Sequence, residues 1–384
     1  MKILLSVNGR FHFFDLAKSL KLNGNEVKLI TTYPKYKVRE WSFINSEIIT
    51  FFSLEILKRL VAPRLITYRS IFQYYHKRVF DLITSIYISE KYDIFVGLSG
   101  NCERSFIKAQ KKGLKTVLHT GSTHIAYQQE TFIKQHELIG LDYPKMSSKQ
   151  YELILREYQL ADIIVVPSKH VQQTFEDNGI HKDKLRVNNY GTDLTKFRSV
   201  IRNTGDKFRI ISVGSVNYLK GVHHLVEAFV QANVKNSELI FVGKIRPEIK
   251  EYTEKVLASC ENIRFIGHRP QAELYKYYSN ANLFALASMD EGLSLVLIEA
   301  MACGLPILAY NNTGAADVVK NGISGKVIMK FDVSSLAKEI LAFSEMGAQL
   351  KIMGKNARKS VVNGYAWSDF GKREVNIYKS ILNV

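Results

Sequence analysis

Short apolar runs alternate with longer amphipathic stretches from one end of the chain to the other. In the first half the runs are Ile3–Val7, Val27–Thr31, Tyr92–Gly97, Thr116–His119, Asp162–Val166 and Leu185–Asn188. Stretches of helical period separate several of them, among them Phe13–Leu22, Glu103–Lys111, Gln150–Leu160 and Val171–Asp177. Apolar, β-branched runs with helical spacers predict parallel strands covered on both faces by helices. The pattern breaks around residues 191–207, where Gly191, Asp193, Asn203, Gly205 and Asp206 mark a linker. A second series follows: Phe208–Val213, Glu238–Val242, Asn262–Ile266, Leu283–Ala287, Pro306–Ala309 and Gly325–Ile328, with Gly221–Ala232 and Leu295–Cys303 as the clearest helical spacers. The chain therefore reads as two successive doubly wound α/β halves. Ligands of such sheets sit beyond the carboxyl ends of the strands, so two facing halves would enclose a cleft there.

A length of 384 residues suits two domains at about 100–200 residues each. An apolar share of 46% beside 23% charged residues excludes bulk disorder. Cys102, Cys260 and Cys303 have neither metal-ligand nor CxxC spacing and are expected as reduced thiols of a cytosolic protein. No apolar run approaches the roughly 18–20 residues of a spanning helix. Ile3–Val7 is too short for a signal-peptide core, so a cytoplasmic location is expected. The unusual feature is charge. Lys and Arg number 53 against 36 Asp and Glu, a formal +17 that asks for an anionic partner.

Glycine at a strand-to-helix turn lets backbone amides approach an anion, and a helix N-terminus favours phosphate. Asn8-Gly9-Arg10 follows the first strand in this way, although it is not GxGxxG and a tight turn alone would explain it. The second half opens with Val213-Gly214-Ser215, and Lys220-Gly221 follows at a helix start. From there an ammonium can meet a diphosphate; a plain surface lysine is the alternative. The most informative stretch runs from Ala287 to Pro306. Its loop carries Glu291-Gly292, a helix starts near Leu293 or Ser294, and Glu299 lies within that helix. Two carboxylates eight positions apart, on a helix otherwise apolar through Leu295–Ile298, are hard to explain by packing. As acceptor-only groups they suit the neighbouring hydroxyls of a sugar.

This segment resembles the Glu-x7-Glu signature of retaining glycosyltransferases of family 4, which have the GT-B fold. Gly304-x-Pro306, Thr313-Gly314-Ala315-Ala316-Asp317 and Asn321-Gly322-x-x-Gly325 are similar to the pattern that follows it. Ala161-Asp162 with Val166-Pro167-Ser168, Tyr190-Gly191-x-Asp193 and Val213-Gly214 with Lys220-Gly221 resemble the pattern that precedes it. The likeness is close over about residues 160–330 and looser elsewhere. It implies two doubly wound Rossmann-like domains facing across a cleft: an acceptor-side domain over 1–195, a nucleotide-sugar domain over 205–364, and a helix over 365–384 that crosses back to the first.

The resemblance also implies roles. Lys220 would bind the donor's phosphates, with the backbone of Gly292, Leu293, Ser294 and Leu295 on the diphosphate or sugar. Glu299 would hold the ribose hydroxyls and Glu291 the transferred sugar. Gly9 would correspond to the phosphate-side loop, Gly214 and Ser215 to the opening loop of the donor domain, and Lys244 and His268 to the base pocket. His119, after a strand, would face the sugar near the reaction centre, and His124 is its rival. Many family members have Arg where this chain has Ser215, so charge neutralisation would fall on Lys220 and backbone amides, or on Arg10 or Lys244. Ser294 replaces a common Gly.

The expected reaction moves a sugar from a nucleotide-diphosphate donor to a hydroxyl of a glycan or lipid-linked acceptor, with anomeric retention, for cell-surface polysaccharide or glycolipid synthesis. Enzymes of the GT-B fold generally work without a bound divalent metal, Asp-x-Asp is missing here, and no cofactor is expected. Residues 33–80 carry nine Lys and Arg against three acids, interleaved with aromatics. Lys58, Arg59, Arg64 and Arg69 are therefore candidates for contact with the acceptor or an anionic membrane surface. That adds a peripheral place on the cytoplasmic face of the membrane. A solvated face is the plain alternative, and nucleic acid ranks behind both. A sugar-nucleotide epimerase of GT-B fold and a basic nucleic-acid-binding α/β protein are the competing functions; the second leaves Glu291 and Glu299 unexplained.

Overall fold

Every strand pairing between named strands in the computed structural model is parallel, and the strands form two separate sheets. The structure describes residues 1–38, 41, 43, 45–61, 69–143, 145–198, 205, 207–329 and 331–383. The first sheet holds β1 (Lys2–Val7), β2 (Glu26–Thr31), β3 (Ile48–Thr50), β4 (Ile94–Leu98), β5 (Lys115–His119), β6 (Ile163–Val166) and β7 (Leu185–Val187). Their order is β3-β2-β1-β4-β5-β6-β7. The second sheet holds β8 (Phe208–Val213), β9 (Ser237–Val242), β10 (Ile263–Phe265), β11 (Leu283–Leu286), β12 (Ile307–Tyr310) and β13 (Gly325–Ile328), ordered β10-β9-β8-β11-β12-β13.

In both sheets the chain winds outward from a central strand and then returns to that strand's other side. The reversal falls between β1 and β4 in the first sheet and between β8 and β11 in the second. These are the topological switch points where open α/β sheets take ligands. Register is fixed by burial on both faces: β1 aligns Ile3 with Val27 on one side and with Ile94 on the other, all buried.

The chain divides into two compact units. The first comprises Met1–Gln129, Pro144–Tyr190 and Trp367–Val384, and the second Glu130–Tyr143 and Gly191–Ala366. In the first, Leu4, Phe95, Leu118 and Ile164 from the strands pack with Phe80, Phe106 and Phe175 from the helices. In the second, Ile210, Leu239, Phe241 and Leu308 pack with Leu225, Phe229 and Ile340. Each such side chain contributes about 1.5–3 kcal/mol on burial. Capping sets several helix starts: Ser147, Ser168 and Asp332 accept from the amides of Gln150, Val171 and Ser335. The helix Trp367–Leu382 packs within the first unit on Phe13–Leu22, where Ser19 Oγ donates to the Trp367 carbonyl at 2.8 Å. Gly371 faces Ser19 so closely that a Cβ there would overlap it. Cys102 and Cys303 are buried, Cys260 is half-buried, and none of the three forms a disulfide.

The apolar runs named above correspond to strands in both sheets, and β3 is the addition. It is a three-residue edge strand paired with β2, too short to give the alternation or run length by which a strand is read.

Candidate active site

The second unit places the loops after β8 and β11 side by side at its switch point. The β8 loop ends in a short 3-10 turn, Tyr218–Lys220, capped by Asn217, whose side-chain oxygen accepts from the Lys220 amide at 2.8 Å. Gly221 then adopts φ +63° and opens the helix Val222–Ala232. A methyl at Gly221 would overlap the Ala287 carbonyl oxygen, so only glycine lets this turn lie against the end of β11. The Met289 amide donates to the Leu219 carbonyl at 2.9 Å and ties the two loops together.

That closeness brings Lys220 and Glu291 into an ion pair. Ser288 Oγ donates to the same carboxylate oxygen at 3.3 Å. Glu291 is held from behind: its amide donates to the Asn312 carbonyl at 3.0 Å, and the Asn312 side chain donates to the Met289 carbonyl. The Lys220 and Glu291 side chains stay 34% and 16% exposed. Burial pulls the Lys220 ammonium down to about 8, against the opposing pull of nearby Asp290. Gly292, Leu293 and Ser294 are buried and lead into the helix Leu295–Ala302. The amides of a first helical turn lack intrahelical acceptors and carry the positive end of the helix dipole.

Glu299, in the same helix, is bound elsewhere. It is 3% exposed, accepts from Gln271 Nε2 at 2.7 Å and from the Tyr278 hydroxyl at 3.3 Å. Burial raises its carboxyl to about 7, with those two hydrogen bonds opposing. Gln271 belongs to the segment after β10 and Tyr278 to the helix Leu274–Ser279. Gly214 and Ser215 are half-buried in the β8 loop. Lys244, exposed in the β9 loop, touches it through backbone alone: the Val216 amide donates to the Lys244 carbonyl at 3.0 Å. His268 is exposed in the β10 loop. The structure thus joins Lys220 to Glu291 directly, and gives Glu299 a different set of partners.

In the first unit, Gly9 lies in the β1 loop, its carbonyl accepting from Thr31 Oγ1 at 2.8 Å. His119 ends β5 and is 2% exposed. Its Nδ1 is 3.1 Å from His12 Nε2, and its Nε2 is 3.6 Å from Glu374 Oε2 on the helix Trp367–Leu382. Glu374 is fully buried and also accepts from Asn188 Nδ2 at 2.8 Å; Arg373 Nε donates to Asn188 Oδ1 at 2.7 Å. Burial, with His119 adding to it, holds His12 well below the usual histidine range. His124 is also buried, between Tyr158 and Phe175, and accepts from the Ala126 amide; burial lowers it to about 4.

Lys58 and Arg59 lie on the helix Phe52–Val61 and pair with Glu55 at 3.5 and 2.9 Å. Arg69 opens the helix Arg69–Ile86. Arg64 lies outside the described residues.

The Asn8-Gly9-Arg10 motif does not report the polar partners that gather at the first switch point. Asn8, after β1, donates to Asn101 Oδ1 after β4 at 3.3 Å, accepts from Thr32 Oγ1 at 3.2 Å, and lies 3.4 Å from His76 Nδ1. Gln271, Tyr278, Asn217 and Asn312 were also passed over. Their signal is positional: each sits after a strand's carboxyl end, or contacts a residue that does.

Residues 193–360 match the family described as Glycosyl transferases group 1. Among curated relatives, the capsular polysaccharide biosynthesis glycosyltransferase CapM of Staphylococcus aureus is 28% identical over 209 residues, 53% of this chain and 53% of its own length. The MMP alpha-(1->4)-mannosyltransferase of Mycolicibacterium hassiacum is 28% identical over 231 residues, 58% of this chain and 55% of its own. The chain thus spans about half the length of the curated relatives it matches. Among solved structures, Anabaena HepE in complex with UDP-glucose superposes with a TM-score of 0.69 at 17% identity, covering 99% of this chain and 100% of that one. Sucrose-phosphate synthase from Thermosynechococcus elongatus gives 0.70 at 18%, covering 100% and 99%. These likenesses show the fold: two Rossmann-like units of the GT-B class. The group 1 match over the second unit and the glycosyltransferase relatives together support a glycosyltransferase family for this chain.

Proposed function

We propose that the chain is a retaining glycosyltransferase of family 4, acting on a nucleotide-diphosphate sugar and an acceptor hydroxyl. The observation that carries this reading is the Lys220–Glu291 pair, fastened at the switch point of the second sheet beside the start of the helix Leu295–Ala302. Breaking the bond between sugar and diphosphate develops negative charge on the leaving phosphate. Lys220 and the first amides of that helix present fixed positive charge to it, and such preorganised donors lower the barrier without reorganising during reaction. Glu291, once released from Lys220, accepts hydrogen bonds from the sugar's hydroxyls, and Glu299 accepts from the ribose. Gly214, Ser215, Lys244 and His268 are read as the rest of the donor's surroundings. Glycosyltransferase relatives named for polysaccharide synthesis support a glycan or lipid-linked acceptor in the same kind of pathway. Retention of configuration and independence of a metal rest on the family resemblance alone.

His119 has its ring nitrogens facing His12 and Glu374 and little exposed surface, so its part in this reading is to position β5 and the loop that follows. The reading is tested by incubating the protein with a panel of nucleotide sugars and lipid-linked acceptors and measuring nucleoside diphosphate release. Release that depends on acceptor and disappears in Lys220→Ala is the expected result. Silence across the panel, or interconversion of the sugar nucleotide without release, overturns it.

A further inference from the structure

The helices Phe52–Val61 and Arg69–Ile86 expose apolar side chains in a pattern that core packing does not explain. On the second, Ile71, Tyr75, Val79, Leu82 and Ile86 are each between 41% and 67% exposed. Steps of four, four, three and four residues keep them on one stripe of the helix, about 22 Å long at 1.5 Å per residue. Ile56 and Leu60 on the first helix, 43% and 56% exposed, repeat the same spacing. Ten of the 23 exposed large hydrophobic side chains among the described residues lie between Phe52 and Tyr87. Scattered exposed apolar residues are ordinary, but two ordered stripes so close in sequence are not.

Charge says what covers them. The two helices carry Lys58, Arg59, Arg69, Lys77 and Arg78 against Glu55 and Asp81, a net +3. Lys58 and Arg59 reach solvent, with side chains 42% and 69% exposed, whereas Lys77 is half-buried and Arg78 is held by Glu103. Both acids are turned inward: Glu55 is 9% exposed and binds Lys58 and Arg59, and Asp81 is 1% exposed and binds Ser105. Exposed apolar stripes without an exposed acid, with Lys58 and Arg59 beside the first of them, meet the requirements of an anionic lipid surface. A second copy of the chain would bring like charges together across the same face.

We propose that these two helices dock the first unit on an anionic lipid bilayer, with the apolar stripes entering the headgroup region and Lys58 and Arg59 facing lipid phosphates. This goes beyond the transfer reaction and does not depend on it. The test is flotation of the full chain with phosphatidylcholine vesicles, with and without about one-third phosphatidylglycerol. Expected is binding to the anionic vesicles at least about tenfold tighter than to neutral ones, weakening as salt rises from about 0.1 to 0.5 M. The double variant Val79→Asp, Leu82→Asp should lose about tenfold or more in binding at unchanged thermal stability, because both side chains are exposed. Leu257→Asp, at an exposed site on the second unit, should bind as the parent does. Equal binding to neutral vesicles, no binding to either, or full binding by the double variant overturns the proposal. So does a parent that sediments as a dimer which the double variant dissociates, since that assigns the face to a second copy. None of these outcomes depends on turnover, so failure here leaves the glycosyltransferase reading to its own assay.

Discussion

Each sheet places a cluster of ionisable side chains just past its strand ends, and the two clusters are built oppositely. In the first unit, His12, His119 and Glu374 are 8%, 2% and 0% exposed and bond mainly to one another and to Asn188. In the second, Lys220 and Glu291 keep 34% and 16% of their side chains open, and their pairing partners are each other. Charges paired with each other within reach of solvent can be handed over to a ligand. Polar groups sealed behind packed rings cannot be, and losing one leaves its buried neighbours stranded. The difference teaches that strand-end position alone does not identify chemistry; exposure divides a pair that a ligand can reach from a cluster that packing encloses.

The strongest way to break this contrast is at the open pair. Lys220→Ala should lower turnover by about 10²–10³-fold, as removal of a preorganised charge does, while leaving the thermal midpoint unchanged. Nucleoside diphosphate release measured beside a melting curve checks both halves. The sealed cluster should answer the other way. Glu374→Ala strands His119 and Asn188 and should cost about 3 kcal/mol in equilibrium denaturation, with Glu374→Gln costing less. A Glu374→Ala protein of parental stability but without turnover would move the reaction centre to the first unit.

A smaller effect sharpens the contrast through pH. Burial lifts Glu299 to about 7, and ribose hydroxyls donate best to its ionised form. Affinity for the diphosphate nucleotide found in the release assay should therefore rise by up to about tenfold per pH unit as pH climbs toward 7. Above about 8 it should fall as Lys220 loses its proton. The stability sign is the reverse. A carboxyl raised above its unfolded value of about 4.3 contributes fully below that pH, and its contribution is lost as pH rises through about 7. Calorimetric titration should show the binding trend flattened on its acid side in Glu299→Gln. The smallest expected change belongs to Gln271→Ala. Gln271 occupies a Glu299 oxygen that the proposed ribose contact would use, so removing one competing hydrogen bond, worth about 0.5–1.5 kcal/mol, should tighten nucleotide binding by about two- to tenfold.

Much of the fold was legible in the sequence because a strand buried on both faces must be apolar along its length. Runs such as Ile3–Val7 and Phe208–Val213 announce themselves in that way. The edge strand β3 was not legible, since three residues carry no period. Within the candidate site, Gly221 and Glu291 were readable from their motifs as belonging to one loop each. Their meeting was not, because it depends on Gly221 lying against Ala287, a contact between distant segments. His119 shows the limit most clearly. Its position after a strand was plain, yet its surroundings are set by Glu374, 255 positions later in the chain, and no local pattern reports a partner that far away.

That long separation has a consequence during synthesis. The helix Trp367–Leu382 belongs to the first unit, yet it leaves the ribosome only after the whole segment 191–366 has been made. At about 5–20 residues per second, the surface of Phe13–Leu22 and the pocket for Glu374 wait roughly 10–35 s after Tyr190 before they can be covered. During that interval the second unit can fold around its own core, while the first must persist with buried-type residues such as His12 and His119 uncapped. The first unit is therefore the one that nascent-chain proteolysis should find open, and its completion is tied to the synthesis of its partner.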